Sequence, residues 1–328
     1  MAVWFAGAKE HELGRAAYVA PVSVALVVLF FLAGGATGGL NLAAVLWRGV
    51  QAADPQIIQH GVFRAVFAVT SEDAQTNWRH HMVSGLLLGA FVSLMLRSYL
   101  FSRIGRLVSA IGVLCCVLLV VLSLSRAIMV AAALALVVVM CGLLIARSGQ
   151  RARLLALGGA ALCAGALLLT PLGDLVAARF FAQDQSASYE ARFETLAAGA
   201  ALIEKNLLVG GAATYERDMH NVVLQHWIGF GLIGLLAALN FVLLIILVAS
   251  RLFILAVVKA GRANTALLLA SALLALPFVR AFTAGGGLGG AEWLCIGVSI
   301  GVLTRSTPKS GQPLYPGLDV KPSGGTAR

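Results

Sequence analysis

The chain has 328 residues, 60% of them hydrophobic and 12% charged, with 24 Lys and Arg against 14 Asp and Glu for a net charge of +10. A soluble domain carries about 25% charged residues, so this composition cannot close a water-soluble surface, and the chain reads as an integral membrane protein. Its apolar runs are unbroken rather than alternating, which favours helices over a β-barrel, and its 36 Gly suit helices that pack closely in lipid.

Eight apolar runs of roughly 17 to 25 residues predict membrane spans, at about 17–39, 82–101, 107–123, 127–146, 153–172, 222–249, 264–282 and 288–304. The first follows Lys9 and Arg15 and reads as a retained helix, because it is long and lacks a small-residue cleavage site. The expected fold is an all-α, polytopic membrane bundle of about eight helices, forming one transmembrane domain over residues 1–304. No internal repeat or heptad pattern stands out.

Charge sets the expected orientation. One set of alternate loops, with both termini, holds 15 of the 24 basic residues and only Glu10, Glu12 and Asp319 among the acidic ones. Both termini are therefore expected in the cytoplasm. The basic residues sit in short stretches between spans, a pattern of topology and not of nucleic-acid binding. Residues 305–328, rich in Pro, Gly and Ser, read as a disordered cytoplasmic tail.

Two outer segments are long enough to hold a site, about 48–81 and 173–221. The first ends in a polar cluster of Glu72, Asp73, Arg79, His80 and His81. Adjacent histidines point about 100° apart on a helix and suit one metal ion poorly, so a substrate-contacting or interfacial role is expected and no metal. Next, Ser125-Arg126 ends one apolar run and begins another. An arginine at that depth either snorkels to the headgroups or faces an anionic ligand.

In the second outer segment, Phe193, Leu196, Ala200, Ile203 and Leu207 recur at helical spacing. This predicts an amphipathic helix at the membrane surface, with Ser188 as its N-cap. Arg192 lies in its first turns, either as a solvated surface residue beside Glu190 and Glu194 or as a ligand-binding group. His220-Asn221 follows, where an acidic stretch gives way to an apolar helix. The histidine can act as a base near neutral pH, or the pair can cap the helix, with Trp227 as an interfacial belt residue.

Walker loop, H-E-x-x-H, EF-hand and G-x-S-x-G patterns are absent from the sequence. Gly285-x-Gly287-x-x-Gly290 matches a dinucleotide fingerprint in form only, since no strand precedes it, and it reads as a closely packed turn. The five cysteines, Cys115, Cys116, Cys141, Cys163 and Cys295, lie inside apolar runs and read as small buried apolar residues.

Taken in order, Ser125-Arg126 heading an apolar helix, Arg192-Phe-Glu-Thr-Leu through Leu207-Leu-Val-Gly-Gly211, and His220-Asn-Val-Val-Leu-Gln225 through Gly231-Leu-Ile-Gly234 resemble the O-antigen ligase and Wzy-type polysaccharide polymerase family. Phe63-Arg64-Ala-Val-Phe67 also resembles the segment before that family's mid-chain helix. The resemblance covers about residues 61 to 250. Asn206 stands where the family has proline, Gly210-Gly211 replaces its G-x-G, and the chain is read as carrying fewer N-terminal helices than typical members.

The resemblance implies a membrane glycosyltransferase of the GT-C type in the bacterial cytoplasmic membrane. It would move a glycan from an undecaprenyl-diphosphate carrier to the hydroxyl of a glycan or glycolipid acceptor at the periplasmic face, with no cofactor. Arg126 and Arg192 would bind the diphosphate and His220 would be the base. Asn221 and Gln225 would orient the base or the sugar, and Arg64, His80 and His81 would make further substrate contacts. Membrane lipids and other polysaccharide assembly proteins are the expected partners. A transporter of lipid-linked sugars or a non-catalytic assembly component are the alternatives. The transporter reading expects paired broken helices and an inverted repeat, neither of which is visible in the sequence.

Overall fold

The computed structural model describes residues 2–9, 11–17, isolated positions between 19 and 33, 41–67, 75–100, 102–145, 158–159, 165, 171–181, 186–205, 207–211, 221–258, 262–283 and 288–306. Among these, all the regular structure is helical. In chain order the helices are α1 (Ala2–Gly7), α2 (Leu42–Gln51), α3 (Pro55–Phe67), α4 (Gln75–Leu96), α5 (Arg103–Leu122), α6 (Arg126–Ile145), α7 (Pro171–Phe181), α8 (Ser186–Lys205), α9 (Val222–Val258), α10 (Arg262–Leu273), α11 (Ala275–Thr283) and α12 (Gly290–Ser306).

Four stretches are long and apolar enough to cross a membrane: Arg103–Leu122, Arg126–Ile145, Val222–Val258 and Thr265–Thr283. Their outward side chains, among them Leu114, Leu118, Val137, Leu243 and Leu247, are exposed and apolar, where a water-soluble bundle would present charge. The chain is thus a helical membrane protein. Of the other four predicted runs, 17–39 and 153–172 lie largely outside the described residues. The run at 82–101 is a shorter apolar stretch, Val83–Leu96, at the end of α4, and that at 288–304 is the 17-residue α12.

Local chemistry sets several boundaries. The Asn41 side chain accepts from the Ala43 and Ala44 N–H groups to start α2. Asp54 does the same for the Gln56 N–H, with Pro55 pre-set for the first turn of α3. Ser102 caps α5 through the Gly105 N–H. Pro277 has no N–H to return to Leu273, and the chain breaks between α10 and α11 at Leu274. The Leu274 N–H turns back to the Ser271 carbonyl, and the Ser299 hydroxyl of α12 donates to the Ala270 carbonyl at 2.9 Å.

Helix α9 holds a second interruption. Gly231 has φ 62 and ψ −147, outside the helical region, and the chain bends sharply there. A Cβ on Gly234 would collide with the His226 carbonyl, a residue two turns away that a straight helix would keep distant. Two interrupted helices therefore exist where the sequence showed none.

Candidate functional site

The α5–α6 turn is tight and strained. Leu124 sits at φ 47, a left-handed conformation costing a non-glycine residue about 1–2 kcal/mol, and its side chain is buried. The Ser123 hydroxyl donates to the Val120 carbonyl at 2.7 Å, and the Ser125 carbonyl accepts from the Met129 N–H. Arg126, as expected, heads α6 and is partly buried. Arg179, near the end of α7, reaches this turn and donates from Nε to the Leu124 carbonyl at 3.3 Å.

Packing shows what else lies at that end of the bundle. Ala135 clusters with Ala272 and Ala275, whereas a Cβ on Gly142, further along α6, would run into Leu268. Rising numbers in α6 meet falling numbers in α10–α11, so the pair is antiparallel. The start of α6 and the end of α11 share one end. Val223, in the first turn of α9, belongs to one buried cluster with Ala281 of α11, which brings the start of α9 there too.

Asn221 caps α9: its Oδ1 accepts from the Val223 N–H at 3.0 Å and the Leu224 N–H at 3.1 Å. Gln225 follows one turn later and is partly buried. His226 holds its Nδ1 2.8 Å from the Val222 carbonyl. Trp227, expected as a belt residue, donates from Nε1 to the Leu207 carbonyl at 3.3 Å. His220 lies outside the described residues.

The turn Leu207–Gly211 is also joined to the α9 interruption through the backbone. The Leu232 N–H donates to the Leu208 carbonyl at 3.2 Å, and the Gly211 N–H to the Ile228 carbonyl at 3.1 Å. Gly210 has φ 74, and a Cβ on it or on Gly231 would strike the opposing backbone. The Gly231-Leu-Ile-Gly234 step therefore needs both glycines, the first for its φ and the approach of Leu208, the second for the approach of His226.

Other expected positions are met in part. Arg192 lies in α8, but that helix begins at Ser186, so Ser188 is inside it and is not the N-cap; nothing between Ser186 and Ser188 breaks a helix. Of the predicted apolar row, Ile203 is buried against Ile228, while Phe193, Leu196 and Leu207 are exposed, because only the C-terminal part of α8 docks on α9. Arg64 lies in α3, and His80 and His81 in α4. Segment 48–81 is thus mostly helical rather than a loop. Cys116 and Cys295 are buried, but Cys141 is exposed on α6. Among the described residues no His, Cys, Asp and Glu side chains group as metal ligands would.

The sequence reading missed a buried ion pair. Arg280 Nε of α11 lies 3.3 Å from Glu292 Oε1 of α12, with side chains 4% and 0% exposed. The Ser84 hydroxyl of α4 donates to the same Oε1 at 2.7 Å. Opposite charges inside two adjacent apolar runs, equidistant from Gly286, were the available signal.

Comparisons with family models, with curated proteins and with solved structures find no match for this chain.

Proposed function

We propose that the protein is a glycosyltransferase of the bacterial cytoplasmic membrane that transfers a glycan from an undecaprenyl-diphosphate carrier to an acceptor sugar hydroxyl at the periplasmic face. The observation that carries the reading is the shared bundle end of Arg126, at the head of α6, and Asn221, at the head of α9 beside His220. The acceptor oxygen attacks the anomeric carbon, the bond from that carbon to the diphosphate oxygen breaks, and the carrier leaves as the diphosphate. His220 takes the acceptor proton. Arg126 and Arg192 offer planar guanidinium forks to the diphosphate, where charge grows as the bond breaks. Diphosphate leaves without a general acid.

The test is to delete the gene in its host and restore it with wild type or His220→Ala at equal protein level. Surface glycan and carrier-linked glycan are then compared. Loss of long or attached glycan with build-up of the carrier-linked form, repaired by wild type alone, is the expected result. Equal repair by His220→Ala removes the base assignment. The interruptions at Gly231 and Leu274 give the transport reading an observation of its own. In that case the deletion strands the carrier-linked glycan on the cytoplasmic leaflet, where an added membrane-impermeant glycosidase does not reach it.

A further inference from the structure

The Arg280–Glu292 pair lies between two contacts with α9, one that spans its bend and one beyond it. Arg280 adjoins Ala281, which with Phe278 shares a buried cluster with Val223, before the bend, and with Ala238 and Val242, after it. Glu292 adjoins Trp293, whose ring is 5.4 Å from that of Phe241 in the long limb of α9. The pair thus ties α11 to α12 at the point where each touches α9, and Ser84 fixes Glu292 from α4.

An apolar contact there would hold the helices together yet tolerate sliding and rotation. A carboxylate between a guanidinium and a hydroxyl has a narrow set of satisfied geometries, and every other one leaves charge buried without its partner. Swapping a buried pair for apolar residues of similar volume often leaves a protein as stable or more so. Stability alone is therefore a poor reason for this pair.

We infer that Arg280 and Glu292 are positioning residues: their ion pair, held by Ser84, sets the bend of α9 and so seats the Asn221 cap at the end of the bundle shared with Arg126. Activity as a readout rests on the transferase reading above; the geometry of the bend does not.

The test uses the full chain in detergent or nanodiscs with the double substitution Arg280→Met/Glu292→Leu, which removes both charges and keeps most of the volume. Amide hydrogen exchange is followed over residues 222–232, and transfer is assayed with a carrier-linked glycan donor. The expected result is an unchanged or raised melting temperature, faster exchange confined to those residues, and a roughly tenfold or greater fall in kcat at constant donor KM. Wild-type exchange in the double variant overturns the inference whatever the chain transfers. Faster exchange with undiminished kcat also overturns it, because the bend then positions nothing the reaction uses. If the wild type transfers no glycan, the transferase reading falls and exchange alone decides. Should the double variant fail to accumulate, Ser84→Ala keeps both charges and is read by the same two quantities, with wild-type values in both overturning the inference.

Discussion

Leu124 holds a left-handed backbone that glycine would adopt without strain, yet its side chain is 1% exposed. Relief of the strain is worth about 1–2 kcal/mol, whereas truncating a buried leucine costs about 2–5 kcal/mol. Leu124→Gly is therefore expected to lower the melting temperature of the purified protein, and a rise would mean that strain dominates the turn. At Asn221, Asp keeps the capping oxygen and loses the amide N–H groups. Asn221→Ala should cost about 1 kcal/mol of stability and Asn221→Asp almost none. If the amide orients the sugar, both variants lose transfer to a similar extent; full transfer in Asn221→Asp would make the residue a cap only. The sequence revealed Arg126 and Asn221 because each stands where an apolar run begins. Arg179 was hidden because its role is a bond to a backbone carbonyl in the α5–α6 turn, far away in sequence, which no local pattern announces. Arg280 and Glu292 were absorbed into apolar runs whose average hydropathy one charge barely changes.

Among the elements, helix α9 depends on a contact outside itself. Gly231→Ala would force a Cβ against the Leu208 carbonyl and into a backbone region that is essentially restricted to glycine, and the second effect alone costs about 1–3 kcal/mol. Hydrogen exchange should then rise together at Leu232 and Gly211, whose N–H groups bridge the two segments; a rise at only one would show that they open independently. Trp227→Phe removes one donor to Leu207 and should cost only about 1 kcal/mol. The apolar run from Val222 was legible as a helix, and the glycine step was visible in it. The bend was not, since glycine in an apolar helix also serves straight, close packing, and only the approach of residues 208 and 226 distinguishes the two uses. The same limit applies to α8: the spacing of Phe193, Leu196 and Ile203 predicted its helix but not that only one end of the row finds a protein surface.

For the whole molecule, the antiparallel run of α6 against α10–α11 and the hairpin of α5 with α6 give the bundle two ends. Arg103 and Arg106, in the first turn of α5, lie toward one end, and the Arg126, Asn221 and Arg280 positions lie toward the other. Under the proposed topology, single cysteines at Ser102 and Gly289, in a chain with its native cysteines replaced, should label from opposite sides of the membrane with an impermeant maleimide. Labelling of both from one side would refute that topology. Fold class followed from composition and run length, because lipid leaves the backbone few choices. The number of spans was harder to read, since α4 mixes a polar start with an apolar end and α10–α11 is one apolar run but two helices.

The Arg280–Glu292 pair also bears on how the chain enters the bilayer. A lone arginine or acidic side chain within a membrane span is costly to insert, but here each charge can meet its counterion across a short helical hairpin. Helices α11 and α12 are then expected to partition from the translocon as one unit, the first waiting for the second. Nascent chains stalled with α11 outside the ribosomal tunnel and α12 still within it should leave a single cysteine placed in α11 open to a water-soluble maleimide, and release of a further stretch containing Glu292 should protect it.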